Sequence, residues 1–508
     1  LSSNGNIAAG WASSDNAGYQ HAAVWSGRDY ATKTDLGIIY NTNEGWSHIN
    51  ALNSEGNIAA GWAYNDRGFQ RATTWAGAGY ADITDLGTLK SDNSGWSNII
   101  ALSSNGRIAA GWASNNHSAQ SHAAIWSGAG YTVKTDLGTL KSDNSGQSIA
   151  SALSSDGTIA AGLSEEDSGN TRATVWSGAD YATKTDLGTL KSDNSGKSIA
   201  SALSSDGRIM AGTATNNRGE WHATVWSGTG YATKTDLGTL KSDNSGQSQA
   251  SALISGGGIA AGWAQSDREL QRATVWSGNS YAIKTDLGTL KSDNSGSSDI
   301  TALSGDGFVA AGWAETDSLS THAAVWRLHY LMIDMPPTPV TPTPPSTPVQ
   351  TSIPLEILSK TDLGTLKSDN SSWSNINALS SNGNIAAGWA SSDNADYQHA
   401  AVWSGSNYAT KTDLGIIKSD NSGWSQIYAL NGDGNIAAGW ANDNGNQRAT
   451  VWSGTSYTAK ADLGTLKSDN SGWSTVAAYD QLQAEGYVSS QTGSGTYVTD
   501  VLPDGMSD

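Results

Sequence analysis

Apolar and polar positions alternate along this chain in short runs, and a turn signal closes each run. Residues 196–240 show the pattern once. Ile199-Ala200-Ser201-Ala202-Leu203 alternates, then gives way to Ser204-Ser205-Asp206-Gly207. Asp-Gly supplies the backbone freedom that a tight hairpin turn requires. Arg208-Ile209-Met210-Ala211-Gly212 leaves the turn as a strand of small residues, and the polar stretch from Thr215 to Gly219 makes the next loop. His222-Ala223-Thr224-Val225-Trp226 again has a period of two, and Ser227-Gly228 turns it into Tyr231-Ala232-Thr233-Lys234. No apolar stripe at helical spacing runs through the unit, and glycine sits in every segment, which argues against helices. The pattern predicts four short strands at roughly ten-residue spacing.

The unit recurs. Its Asp-Leu-Gly corner stands at Asp35, Asp85, Asp136, Asp186, Asp236, Asp286, Asp362, Asp413 and Asp462. Its terminal tryptophan stands at Trp25, Trp75, Trp126, Trp176, Trp226, Trp276, Trp326, Trp403 and Trp452. Four antiparallel strands in a repeat of about fifty residues make the blade of a β-propeller, so the expected fold class is all-β. The nine terminal tryptophans read as structural, packing blade against blade. Each such ring removes on the order of 150–250 Å² from water, roughly 4–6 kcal/mol before chain entropy is charged against it. The small Ala-Ala-Gly strand is expected where sheets crowd together, near the central axis.

One interruption divides the series. From Met335 to Pro348 proline alternates with threonine, a composition that favours an extended spacer. Seven terminal tryptophans precede it and two follow. The expected organisation is a seven-unit propeller at 1–326, a Pro/Thr-rich linker at 327–360, further units at 361–474 as a partial second propeller, and a foreign tail at 475–508. A second arrangement is also consistent with the sequence. The start of the chain lacks an Asp-Leu-Gly segment, while Asp462 to Ser474 lacks the rest of its unit. Joined, they complete one repeat and close a single nine-unit ring around the spacer.

Composition narrows the function classes. Cysteine is absent, which removes disulfides, thiol chemistry and thiolate metal sites. A net charge of −19 opposes nucleic-acid binding, which needs a basic surface. No run of apolar residues is long enough to span a membrane. The chain opens at Leu1 without a methionine or a leader, as a processed chain or an internal fragment would.

The candidate binding residues are tryptophans that vary between units. One set follows Ser-Gly, or Glu-Gly or Ser-Ser in its place: Trp46, Trp96, Trp373, Trp424 and Trp473. The other follows Ala-Gly: Trp11, Trp62, Trp112, Trp263, Trp313, Trp389 and Trp440. Trp46 occurs with Trp62, Trp96 with Trp112, Trp373 with Trp389, and Trp424 with Trp440, whereas units with Gln147 or Lys197 carry Leu163 or Thr213. The co-occurrence suggests rings in contact, either as packing or as a paired platform for sugar rings. The Ser-Asp-Asn-Ser-Gly loop offers oxygen ligands but lacks the spaced acids of a calcium loop, and an Asx-type turn explains it better. His21, His122, His222, His322 and His399 share one repeat position with Arg71, Arg172, Arg272 and Arg448. A position that exchanges His for Arg is a hydrogen-bonding or charged strand start, not a metal ligand or a base. No catalytic residue, metal site or cofactor is expected.

Asp-Leu-Gly-Thr-Leu, Ala-Leu-Ser-Ser-Asp-Gly, Ala-Ala-Gly and Ala-x-Val-Trp together resemble the extracellular repeat of the HAF family, over about residues 1–475. The family's usual Gly-Gly after the leucine is here Lys-Ser-Asp-Asn-Ser-Gly. The resemblance implies a non-enzymatic bacterial protein, extracellular or at the cell surface, often an autotransporter passenger. Residues 475–503, with Tyr487-Val488 and Gly493-Ser494-Gly495-Thr496-Tyr497-Val498, are similar to the last helix and wing of the winged-helix domain of GntR regulators of the MocR branch. Ser490-Gln491 stands where that family places Ser-Arg, and the preceding helices are missing, so the tail is expected to be a fusion scar. The expected function is adhesion or glycan binding, with a host or environmental glycan or a surface protein as partner. A structural spacer comes second and a transcription regulator third.

Overall fold

The computed structural model describes residues 2–330 and 355–476, apart from 3, 16–18, 40–43, 117–119, 395–396 and 419. These residues form nine four-stranded antiparallel sheets. In the unit read above, Ser198–Leu203, Met210–Thr215, Trp221–Ser227 and Thr233–Asp236 are the four strands. Blade 2 follows the same order with Ser47–Leu52, Ala59–Tyr64, Gln70–Ala76 and Asp82–Asp85. Blades 3 to 9 open at Ser97, Ser148, Ser198, Ser248, Ser298, Ser374 and Ser425. First strands of neighbouring blades touch, so they form the inner ring.

Blade 1 is assembled from both ends of the described chain. Ala8–Ser13, Gln20–Ser26 and Thr32–Asp35 supply three strands. Ser474–Val476 supplies the fourth, with Gly10 opposite Val476 and Ala12 opposite Ser474. Blades 9 and 1 share a core in which Val451 and Leu463 meet Ala8 and Trp25. The architecture is therefore the single nine-blade ring, and the reading of seven blades plus a partial second propeller is corrected. The reason is visible at blade 7. Its Ala323 N–H donates to Ser374 Oγ of blade 8 at 2.7 Å, and its Val325 packs with Ile376 and Trp403. The ring simply continues past 326.

In sequence the Pro/Thr-rich stretch falls between the last two strands of blade 7, and the linker expected at 327–360 is corrected, since 327–330 and 355–360 belong to those strands. The stretch joins Thr321–Tyr330 to Leu355–Gly364, which pair as far as Tyr330 with Leu355. At the other end, Thr475 and Val476 belong to the closing strand, although the sequence placed them in the foreign tail. Ser-Thr-Val repeats the Ser-x-Ile or Ser-x-Ala pattern of the other first strands, and Val476 is buried. The rest of the winged-helix-like stretch lies outside the described residues.

The Ala-Ala-Gly strand is second from the axis, not innermost. Its glycine answers a bulge in the first strand, where the register skips between Ile49 and Ala51 in blade 2 and at the matching place in blades 3 to 9, except in blade 1. The bulge brings a carbonyl over the glycine: a Cβ on Gly61, Gly111, Gly162 or Gly212 would lie 2.0 Å from the oxygen of His48, Asn98, Ile149 or Ile199, the residue before its first-strand partner.

Three bonds repeat between blades. The nine terminal tryptophans are fully buried, as expected. In seven of them the indole N–H donates to the leucine carbonyl of the preceding Asp-Leu-Gly, as Trp75 does to Leu36 at 3.1 Å, Trp176 to Leu137 at 3.0 Å and, across the closure, Trp25 to Leu463 at 2.7 Å; Trp226 and Trp452 do not make this bond. A fourth-strand lysine reaches back to the preceding loop, as Lys234 does to the Thr189 carbonyl at 3.0 Å. Hairpin turns on one face are linked in a chain, Ser54 N–H to Ser104 O, then Ser104 to Ser155, both at 3.0 Å.

Candidate functional site

The opposite face, where first strands begin, carries the variable tryptophans. Trp46, Trp96, Trp373, Trp424 and Trp473 are 38–57% exposed, large fractions for indoles in so buried a ring. Each stands one residue before its first strand, and its backbone is pinned. The carbonyl accepts an N–H from the end of the second strand, from Tyr64 for Trp46 at 2.9 Å and from Ser114, Ser391, Asn442 and Ser13 for the others at 2.8 Å. The same bond forms at Gln147, Lys197, Gln247 and Ser297, so all nine positions are equivalent.

That equivalence locates the five indoles. Trp373, Trp424, Trp473, Trp46 and Trp96 belong to blades 8, 9, 1, 2 and 3, which are consecutive around the closed ring. They form one uninterrupted aromatic arc. Blades 4 to 7 hold Gln147, Lys197, Gln247 and Ser297 instead, beside the acids Glu165, Glu166, Glu220, Glu269 and Glu315. Three of these acids pair with lysines, Glu165 with Lys141 at 3.0 Å, Glu315 with Lys291 at 3.1 Å and Glu269 with Lys241, and Glu220 lies 3.8 Å from His222 Nε2. The face thus has an aromatic side and a side whose equivalent positions are polar.

The arc is braced from the preceding blade. Tyr19 meets the Trp46 ring edge-on at 6.4 Å between centroids, and Phe69 meets Trp96 at 6.0 Å. Both sit in the loop between second and third strands of the blade before. Edge-to-face pairs of this kind are worth about 0.5–1.5 kcal/mol beyond area. Sequence reasoning missed Tyr19 and Phe69. Their signal was an aromatic one residue before the third strand, present also at Tyr397 ahead of Trp424.

The second-strand tryptophans are more enclosed. Trp112 is buried, and Trp62, Trp389 and Trp440 are half-buried. Trp62 stacks on His48 at 6.1 Å and leans on Tyr64 at 5.8 Å. Among the described residues no ring contact joins Trp46 to Trp62. Trp62 lies opposite His48 on the second strand, while Trp46 precedes the first strand and is two residues away from that pairing. Their co-occurrence therefore does not reflect touching rings.

The His/Arg position is an ion-pair or hydrogen-bond node. His122 Nδ1 lies 2.8 Å from Asp136, His322 Nδ1 lies 2.9 Å from Asp362, and Arg71 Nε lies 3.2 Å from Asp85. The aspartate also accepts the N–H of its own corner glycine, Gly87 to Asp85 at 2.7 Å. A serine completes the node: Ser97 Oγ accepts from Ala72 N–H at 2.8 Å and donates to the Gly87 carbonyl at 2.7 Å. With its proton on a carbonyl, this serine ties blades together.

The Ser-Asp-Asn-Ser-Gly loop is an Asx-type turn. Asp92 accepts the Ser94 N–H at 2.9 Å, which holds its carboxyl below the usual range, and Asn93 accepts the Thr88 N–H at 2.9 Å. No group of three or more His, Cys, Asp or Glu with metal-ligand geometry occurs among the described residues. One acid stands apart. Asp299, on the inner strand of blade 7, is pushed up to about 7 by burial, and takes an N–H from Ile300 at 2.7 Å. Other blades place His48, Asn98, Gln249 or Asn375 there.

No family model matches the sequence, and no curated protein matches it. Solved structures align at low similarity. TolB from Acinetobacter baumannii is 15% identical over 59% of this chain and 61% of its own, with a TM-score of 0.27. This chain thus spans about three fifths of that protein. The periplasmic gluconolactonase of Pseudomonas aeruginosa is 11% identical over 80% of this chain and 95% of its own, with a TM-score of 0.27. The β-propeller domain of the Trilobed protease from Pyrococcus furiosus is 9% identical over 58% and 78%, also at 0.27. No activity is carried over from any of them.

Proposed function

We propose that this nine-blade ring is a non-enzymatic binding protein of the bacterial cell surface or exterior, and that its aromatic arc recognises glycans. The carrying observation is the contiguity of five exposed, backbone-pinned indoles on one face. An exposed indole ordinarily loses hydration favourably, so five side by side mark a surface built to be covered. Ser-Asp-Asn-Ser loops lead into Trp96, Trp373, Trp424 and Trp473, so these apolar planes stand beside hydroxyls and amides. A sugar chain has the same combination, an apolar C–H face within a rim of hydroxyls. Weak contacts on successive blades add through effective concentration. The acidic net charge opposes a nucleic-acid partner. Among the described residues no helix is long and apolar enough to cross a membrane. The extracellular placement and the HAF membership rest on the motif resemblance.

A structural spacer is the second reading, favoured by the bracing of Trp46 and Trp96 by Tyr19 and Phe69. The discriminating experiment replaces Trp46, Trp96, Trp373 and Trp424 with glutamine, which blades 4 and 6 carry at this position. Glycan-array binding by the parent chain, lost in a variant with an unchanged melting curve, supports recognition. A parent chain that binds nothing, with a destabilised variant, supports the spacer.

A further inference from the structure

We infer that the ligand is a linear, neutral polysaccharide lying across the ring's closure, so that binding and closure reinforce one another. The inference rests on the glycan reading and adds the ligand's shape, its charge and its coupling to the fold.

The centre of the arc is Trp473. It lies midway between Trp373 and Trp424 on one side and Trp46 and Trp96 on the other, and it leads into the three-residue closing strand. Its carbonyl accepts the Ser13 N–H at 2.8 Å, and its own N–H donates to Ser13 Oγ at 3.0 Å. Nearby, Ser468 N–H donates to Asp15 at 2.8 Å. These bonds join the two ends of the chain. The site thus exists only in the closed ring, and an occupant spanning blades 9, 1 and 2 bridges the seam.

Shape and charge follow from the arc. One indole per blade at equivalent positions makes a single row, which suits an unbranched polymer better than a branched headgroup. A net charge of −19 repels uronic or sulfated chains. β-1,4-linked hexoses have equatorial linkages that leave flat C–H faces free for stacking on indoles.

The test titrates the whole chain with cello-oligosaccharides and chito-oligosaccharides, from disaccharide to decasaccharide, while following exchange of the Ser13 amide. Affinity is expected to rise roughly 10²-fold or more with length. Saturating long oligomers should slow Ser13 exchange, and saturating disaccharide should not. Trp473→Gln should lose most of the length gain, whereas Trp373→Gln at the arc's end should lose only part. Binding that is flat with length, or a Ser13 amide indifferent to long oligomers, overturns the inference and leaves glycan recognition standing. No binding of any oligomer by the parent chain overturns both, as does a dimer broken by Trp473→Gln. The Ser13 readout uses the parent chain, so a misfolded variant does not blunt it.

Discussion

At the scale of single residues, the repeat is held by contacts with no slack. Gly212→Ala would set a Cβ 2.0 Å from the Ile199 carbonyl oxygen, and should cost about 3 kcal/mol or more in urea unfolding. Gly219→Ala meets nothing within 4 Å but keeps φ at +79°, so its cost should be about 1–2 kcal/mol of backbone strain. Equal midpoints for the two would contradict the bulge argument. Trp176→Phe should lose about 1–3 kcal/mol because the Leu137 carbonyl is left without its donor. The buried role of Trp176 was legible, because one large ring at a fixed place in every unit needs a common pocket. The bracing of Trp46 by Tyr19 was not, because that contact crosses from blade 1 to blade 2 and its counterpart recurs in only some blades.

At the scale of elements, the strands followed directly from alternation and turns, as the match at 196–240 shows. Ring size did not, because a seven-unit block and a nine-unit ring share every local pattern. What decides is whether blade 7 packs on blade 8 or on blade 1, and the closing contact is between the distant units 9 and 1. Two outcomes follow. Replacing the stretch between Tyr330 and Leu355 with a turn taken from another blade should leave melting unchanged within about 0.5 kcal/mol, because the strands it joins already pair. Ending the chain at Gly472 should do the opposite. Removal of Ser474–Val476 bares the edge of Ala8–Ser13 and the cores of blades 9 and 1. Size-exclusion chromatography should then show association or aggregation, and a well-behaved monomer of undiminished stability would refute the closure.

At the scale of the whole molecule, repetition multiplies small effects. Eight tyrosines, Tyr30, Tyr80, Tyr131, Tyr181, Tyr231, Tyr281, Tyr408 and Tyr457, are pushed up to about 12 by burial. Each hydroxyl donates to a hairpin-turn glycine carbonyl, as Tyr80 does to Gly56. In the unfolded chain they ionise near pH 10. A raised folded value means the contribution is complete below about pH 10 and drains away as pH climbs toward about 12. The half-buried lysines, such as Lys184 and Lys234, are pulled down by desolvation and act in the opposite sense. The tyrosines are the more enclosed set, so the net expectation is a steep alkaline loss of β-structure by circular dichroism. A ring unchanged at about pH 12 would show that the phenols ionise without cost.

The seam lies within one blade, where the closing strand pairs with Ala8–Ser13. Any loop joining one blade to the next would serve equally well as the start, because the strand order within each unit is the same. A circular permutant with residues 476 and 2 bridged and new ends placed between blades 5 and 6 would keep the five indoles adjacent on an unbroken backbone. In such a chain, recognition would no longer depend on two distant ends finding each other during synthesis. The natural arrangement makes the finished circle a checkpoint: a half-made chain carries at most two neighbouring indoles, and full avidity arrives only when the last strand has been laid in place.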